Sequence, residues 1–402
     1  MAQSATPSGR SRLRDLLPQL FLGEWPAGPL NSITDVPGVL VNTQSIHPDR
    51  NVNTGVTTIL PRPDWFKYSS LAGIFRFNGC GEMTGTHWIE ETGLLTSPII
   101  LTTSSSVGDG YRGVLEYAFR HHSNEEGDMD LFIFPLVAET YDGYLNDQSR
   151  FAVTPEHVVT GILTANSDRV PEGNTGGGTG MICHRFKGGT GSSSRVVKGF
   201  DVTGNPKDYT VGVLVQANYG SKENLCIGGV PVGRIIISQE SSGTSERPAD
   251  TDSSGNEPRK DGSIIIVIAT DVPLTPVQLQ RVAKRATTGL ARVGGYGSNS
   301  SGDIFLAFTT ATKVPFQEFS MVADGKPKVH PTQPLPRAVE MLDNDSISGV
   351  FEATADATEE AIYNALCMAE TTTGYKGRSV EALDLDKVRE IVGGTLAMTS
   401  GL

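Results

Sequence analysis

The stretch that most limits what this chain can fold into is residues 261–274, Asp-Gly-Ser-Ile-Ile-Ile-Val-Ile-Ala-Thr-Asp-Val-Pro-Leu. Five β-branched residues in succession, Ile264 to Ile268, predict a buried strand. The segment before it, Ser238 to Gly262, has no aromatic residue and one aliphatic side chain, Ala249. Such a segment cannot bury enough surface to order itself, so it reads as a solvated linker and the strongest boundary in the sequence. A core strand therefore starts abruptly, at Ser263, behind a glycine and an expendable linker.

Elsewhere strands and helices alternate. Short β-type runs occur at 36–41, 56–60, 99–102, 131–134, 210–215, 233–237 and 304–308. Helical spacing is expected over Gly110 to His122, Pro155 to Ala165 behind a Thr154 cap, Pro276 to Leu290 ended by Gly294-Gly295, and in two closing helices near 357–370 and 385–392. Residues 1–11 read as a loose tail. This alternation, without a nucleotide-binding βαβ signature, fits a layered α/β sandwich.

Composition narrows the function classes. A net charge of −12, with no basic stripe, argues against a nucleic-acid binder. Cys80, Cys183, Cys226 and Cys367 lie far apart, so they read as buried thiols rather than metal ligands or a disulfide frame. The N-terminal Leu16, Leu17, Leu20, Phe21 and Leu22 are interrupted by Pro18 and Gln19, and no segment is long enough to span a bilayer. The cytoplasm is the expected compartment.

Several motifs imitate chemistry. The glycine-rich segments 173–180 and 187–194 lack the order of a phosphate loop, and read as backbone packed close to a neighbour. His87, Glu90 and Glu91 do not form a zinc-binding pattern, so His87 is expected as a satisfied, half-buried residue and no metal is expected. His121-His122 fits a solvated helix end. No GxSxG elbow is present. The polar clusters 139–147, 216–220 and 298–303 are each turn-like, but each sits at a strand end, where α/β folds place sites.

Ser263 carries a sharper possibility. A Gly-Ser pair before a strand is ordinarily a loop. Cutting Gly262–Ser263 would instead free an α-amine beside a hydroxyl on one residue. That amine titrates at about 7.7–8.0, close to what a general base needs. Nucleophile and base would then be one residue, as in N-terminal threonine hydrolases.

Taken together, GPLNSITDVPGV at 28–39, NGCGEMTGTHWIEETGLLTSPIILT at 78–102, AETYDGYLND at 138–147, EGNTGGGTGM at 172–181, FKGGTGSSSRVV at 186–197, VQANYG at 215–220 and DGSIIIVIATDVPL at 261–274 resemble the DmpA-type L-aminopeptidase/D-esterase and β-peptidyl aminopeptidase family. Those are self-processing N-terminal serine hydrolases. The resemblance implies a four-layer αββα sandwich whose precursor is cut before Ser263. The products would be an α piece, 1–262, with its linker 238–262, and a β piece, 263–402, remaining as one structural domain. It implies homo-oligomers of αβ units, commonly tetramers, no cofactor, and a small peptide, amide or ester substrate with a free N-terminus.

Residue roles follow by position. Ser263 matches the nucleophile and Gly262–Ser263 the cut site. Ser301 and Asp303 match the serine and carboxylate that orient it, although some relatives carry Glu at the latter. Asn218 matches the oxyanion donor, Tyr141 a second one, and Glu139 the carboxylate for the substrate ammonium. The linker is longer than in many relatives, which bears on processing rate rather than mechanism. An acyltransferase of the ornithine acetyltransferase type would use threonine, so Ser263 and Glu139 argue against it. An uncleaved scaffold would not need these residues together. Preference among L-, D- and β-residues is open, with small residues such as Gly or Ala favoured.

Overall fold

A computed structural model describes residues 9–129, 132–242, 262–316, 332, 334 and 336–399. The strands, in chain order, are β1 (Leu40–Ile46), β2 (Thr54–Leu60), β3 (Tyr68–Gly79), β4 (Leu94–Leu95), β5 (Ile99–Thr103), β6 (Leu136–Thr140), β7 (Ile182–Cys183), β8 (Phe186–Lys187), β9 (Gly189–Phe200), β10 (Pro206–Asn218), β11 (Ser263–Thr270) and β12 (Gly302–Pro315). The two main sheets have the orders β1-β2-β5-β6 and β4-β3-β12-β11-β10-β9, β7 and β8 pair as a separate hairpin, and two further short strands, Thr372–Thr373 and Ser379–Val380, pair with each other. The helices are α1 (Leu13–Leu16), α2 (Thr86–Thr92), α3 (Val107–His122), α4 (Pro155–Thr164), α5 (Val232–Ser242), α6 (Pro276–Val293), α7 (Ser348–Cys367) and α8 (Leu385–Thr399).

β11 explains the layering. Successive side chains of a strand point to opposite faces. Ile264, Ile266 and Ile268 pack against Val282 and Ala286 of α6 and Ala361 of α7. Ile265, Val267 and Ala269 face the other sheet, among Ile59, Leu101 and Ala138. The far side of that second sheet is covered by Val114 of α3 and Val158 of α4. The result is the αββα sandwich, and it accounts for a strand with no polar alternation.

Some expectations need correction. The run 233–237 is helical, within α5: Val232 and Ile236, one turn apart, are buried, whereas Arg234 and Ser238 are exposed. That helix also runs to Ser242, past the expected start of the linker; residues 243–261 lie outside the described residues. The strand expected at 131–134 begins instead at Leu136, because Pro135 cannot donate to a ladder. Phe132 is 69% exposed, and Leu131 lies outside the described residues. The run at 36–41 turns at Pro37-Gly38 and becomes a strand only from Leu40. The first closing helix starts earlier than expected, at Ser348, and ends at Cys367.

The N-terminal tail is docked from Arg10, whose guanidinium reaches the carbonyls of Leu383 (2.9 Å) and Leu366 (3.1 Å). All four cysteines are free thiols, but only Cys183 and Cys367 are buried; Cys80 is exposed and Cys226 half-buried. His87 is exposed, edge-on to Phe134. His122 ends α3, as expected, but stacks on Phe66 with centroids 3.6 Å apart. The glycine-rich segments do pack backbone on backbone: a Cβ at Gly191 would lie 1.9 Å from the Ala361 carbonyl oxygen. Among the described residues there is no group of three metal-ligating side chains, and no helix long and apolar enough to cross a membrane.

Candidate active site

Strand register brings the candidates together. β10 and β11 run antiparallel with Asn218 opposite Ser263. β11 and β12 run parallel with Ile264 opposite Asp303. The end of one strand and the starts of two others thus place an amide, a serine and a carboxylate together at one end of the sheet. A register shift in the β12–β3 ladder, between Asp303 and Ile304, sits at this end, and such bulges re-aim side chains.

The nucleophile candidate is tightly held. The Gly302 N–H donates to Ser263 Oγ at 2.9 Å, and Ser263 is buried. The Ser301 hydroxyl contacts both the Gly262 carbonyl oxygen and Asp303 Oδ1, the latter at 2.6 Å. The Ile264 N–H also reaches Asp303 Oδ1, at 3.3 Å. Burial pushes the Asp303 carboxyl up to about 6, against hydrogen bonds from Ser301 and Ile264 that pull it down. A hydroxyl has one proton for two acceptors. When Asp303 is neutral it can donate to Ser301, freeing the Ser301 proton for the Gly262 carbonyl. When Asp303 is ionised it competes for that same proton.

Asn218 is gripped on both sides. The Ile182 N–H donates to its Oδ1 (2.8 Å), and its Nδ2 donates to the Tyr141 carbonyl (3.0 Å). Tyr141 therefore meets Asn218 through its backbone. Its ring is 46% exposed and lies over Gly143, where an added Cβ would come within 2.4 Å of the phenol oxygen.

Glu139 lies in β6 of the other sheet and is buried, accepting from the Glu82 N–H at 3.0 Å and from the Ser104 hydroxyl. A Cβ at Gly81 would sit 3.3 Å from Glu139 Oε1 and 3.0 Å from Gly302 Cα, so this carboxylate borders the residue that holds Ser263. Gln216 ties the two sheets here, donating to the Thr102 carbonyl (2.9 Å) and Thr140 Oγ1 (2.8 Å).

Sequence reasoning missed the supporting residues. Asn78 donates to the carbonyls of Ser298 (2.8 Å), Asn299 (3.1 Å) and Ser301, fixing the loop that carries the Ser301 hydroxyl. Ser104, Glu82 and Ile182 were missed as well, since their partners are remote in sequence. Asp142 offered one signal, a carboxylate directly after Tyr141. It is fully buried and accepts from Thr103 (2.7 Å), Asn146 (3.0 Å) and Gln148 (3.1 Å), while burial pushes its carboxyl up.

The chain is 42% identical over 404 residues to beta-peptidyl aminopeptidase BapA of Sphingosinicella microcystinivorans, covering 98% of this chain and 94% of that one. The solved Burkholderia sp. beta-aminopeptidase superposes with TM-score 0.79 at 40% identity, covering 95% and 99% of the two chains. The L-aminopeptidase D-Ala-esterase/amidase of Ochrobactrum anthropi, described as a variant of the Ntn hydrolase fold, superposes with TM-score 0.79 at 39% identity over 96% and 98%. With a family match across residues 31–380, the chain belongs to peptidase family S58.

Proposed function

We propose that Ser263, freed at its amine by cleavage after Gly262, is both nucleophile and base of an aminopeptidase that takes β-amino-acyl peptides and amides with small side chains. Membership of the family makes the protein an N-terminal-nucleophile aminopeptidase. The observation that carries the assignment to Ser263 is its place at the head of β11, with the Gly302 N–H on its hydroxyl and Asn218 opposite. The β preference rests on relatives named beta-peptidyl aminopeptidase and beta-aminopeptidase.

In the first reaction Ser263 Oγ attacks the Gly262 carbonyl carbon, and the Gly262–Ser263 C–N bond breaks as an ester forms. Water then hydrolyses the ester, leaving a carboxylate on Gly262 and a free amine and hydroxyl on Ser263. The Ser301 hydroxyl, on the Gly262 carbonyl, stabilises the charge that develops there. In the mature enzyme Ser263 Oγ attacks the carbonyl of the substrate's first residue. The α-amine accepts the hydroxyl proton and returns it to the leaving amine, and water releases the acyl group. The second N–H of Asn218 faces the oxyanion, and Glu139 holds the substrate ammonium. Residues 1–262 and 263–402 stay together as one αβ unit. We infer tetramers of that unit and a cytoplasmic location.

The test compares p-nitroanilides of β-alanine and L-alanine, with N-acetylated versions of each. Faster release from the β-amino compound and none from the acetylated ones supports the reading; activity confined to the L-compound would sink the β preference. Glu139→Gln should raise KM about 10–100-fold with a smaller change in kcat, since a charge-assisted bond to the ammonium is lost. An unchanged KM would remove Glu139 from substrate binding. Tyr141→Phe should cut itself normally but hydrolyse about 10²-fold more slowly if its hydroxyl swings in as a second donor. Wild-type turnover would leave Tyr141 with only its backbone role.

A further inference from the structure

We propose that Lys187 is a positioning residue for the reaction, fixing the hairpin whose Ile182 N–H aims the Asn218 amide. This rests on Asn218 being the oxyanion donor. Lys187 is completely buried, and its ammonium reaches the carbonyls of Gly188 (2.8 Å), Met181 (2.9 Å) and Gly178 (3.4 Å). An ammonium has three N–H donors, and three carbonyls converge on it. All three belong to segment 178–188, which folds back through β7 and β8. Its turn is made by His184 and Arg185, both left-handed, with φ of 50° and 67°. Two adjacent non-glycine residues in that region are unfavourable and need support from their surroundings.

Ile182 lies at the centre of this knotted segment, and its N–H meets Asn218 Oδ1 at 2.8 Å. On the opposite side Nδ2 meets the Tyr141 carbonyl. A flipped amide would set oxygen against a carbonyl and N–H against N–H, so these two contacts define which end can serve an oxyanion. Both flanking loops are tied by buried ionisable groups, Lys187 on one side and Asp142 on the other. Burial draws the lysine down to about 7, and the Asp142 charge opposes that by favouring its charged form. An ammonium in a core is costly, and it is tolerated only where hydrogen bonds replace those it made to water. The convergence of carbonyls gives the lysine its purpose: it ties Gly178, Met181 and Gly188 to one point and so fixes the segment between them.

The experiment is a double-mutant cycle on the full chain, with kcat and KM measured for an aminoacyl p-nitroanilide and self-cleavage followed by mass spectrometry. Lys187→Met should lower kcat about 10- to 100-fold with KM nearly unchanged, and should cost almost nothing further when Asn218→Ala is already present. kcat is expressed per cut chain, with the cut fraction read from the mass spectrum, and a slowly cutting variant is incubated until cut before it is assayed. Wild-type kcat in Lys187→Met, or a loss as large in the Asn218→Ala background, overturns the proposal. If Lys187→Met gives no cooperative melt, Ile182→Pro decides, because it deletes the one N–H on Asn218. A loss absorbed by Asn218→Ala supports the route through Ile182, and no loss overturns it. Asn218→Ala with unchanged kcat would instead overturn the oxyanion reading itself, a result separable from failure of Lys187 alone.

Discussion

Ser263→Ala should give a single uncut chain of 402 residues with no measurable aminopeptidase activity. Without Oγ nothing can attack the Gly262 carbonyl, so the C–N bond persists and the nitrogen that should act as base remains an amide. Knocking out a catalytic serine elsewhere removes about 10⁶ in turnover, and here the base is lost with it. The fold should survive, because Ser263 Oγ is seen to accept one hydrogen bond, from Gly302, worth about 1 kcal/mol. Denaturing mass spectrometry of wild type and variant, alongside an activity assay, checks this. Two fragments from the alanine chain, the smaller beginning at residue 263, would show that another group performs the cut.

Gly262→Ala should retain the nucleophile yet cut itself at least about 10²-fold more slowly, the scale of one lost oxyanion contact. A Cβ at residue 262 would lie 1.7 Å from the Asn218 carbonyl oxygen and 3.1 Å from its Nδ2. The obstacle is β10 backbone, held by β11 at Asn218 and by β9 up to Ala217, so it resists moving. The residue before the cut must move instead, taking its carbonyl from the Ser301 hydroxyl. Once cut, the alanine variant should turn over substrate at the wild-type rate, because residue 262 is then only the end of the other piece. Time courses of fragment appearance and of specific activity per cut chain separate the two effects. Cutting at the wild-type rate would mean that Gly262 is not seated against Asn218 in the reactive precursor.

Parts of the fold were legible because local and tertiary demands coincide. Ile264 to Ile268 can only be a strand buried on both faces, and it is. Thr275-Pro276 and Gly294 mark the ends of α6 by capping chemistry, with Gly294 in the left-handed region at φ 103°. Gly233 to Ile237 misled because a run of isoleucines favours strands locally, whereas burial of Val232 with Ile236 decides for a helix. Of the candidate site, Ser263 stood out in the sequence by its neighbours. Ser301, Asp303, Asn218 and Glu139 could be picked out only by family likeness, since turn-type residues look alike in sequence. Lys187 was invisible: segment 187–194 reads as closely packed backbone, which says nothing of where the lysine goes, and the three carbonyls folded round it supply that.

The position of β11 and β12 gives the cut a thermodynamic direction. They are neighbours in the middle of the six-stranded sheet, with β3 and β10 from the earlier part of the chain on either side. Before cleavage this interleaving forms within one polymer, and its stability is independent of concentration. After cleavage the same ladders join two molecules, so unfolding liberates two chains and refolding becomes a second-order encounter. The mature protein would then be an assembly that dilution destabilises, made by a precursor that dilution cannot touch.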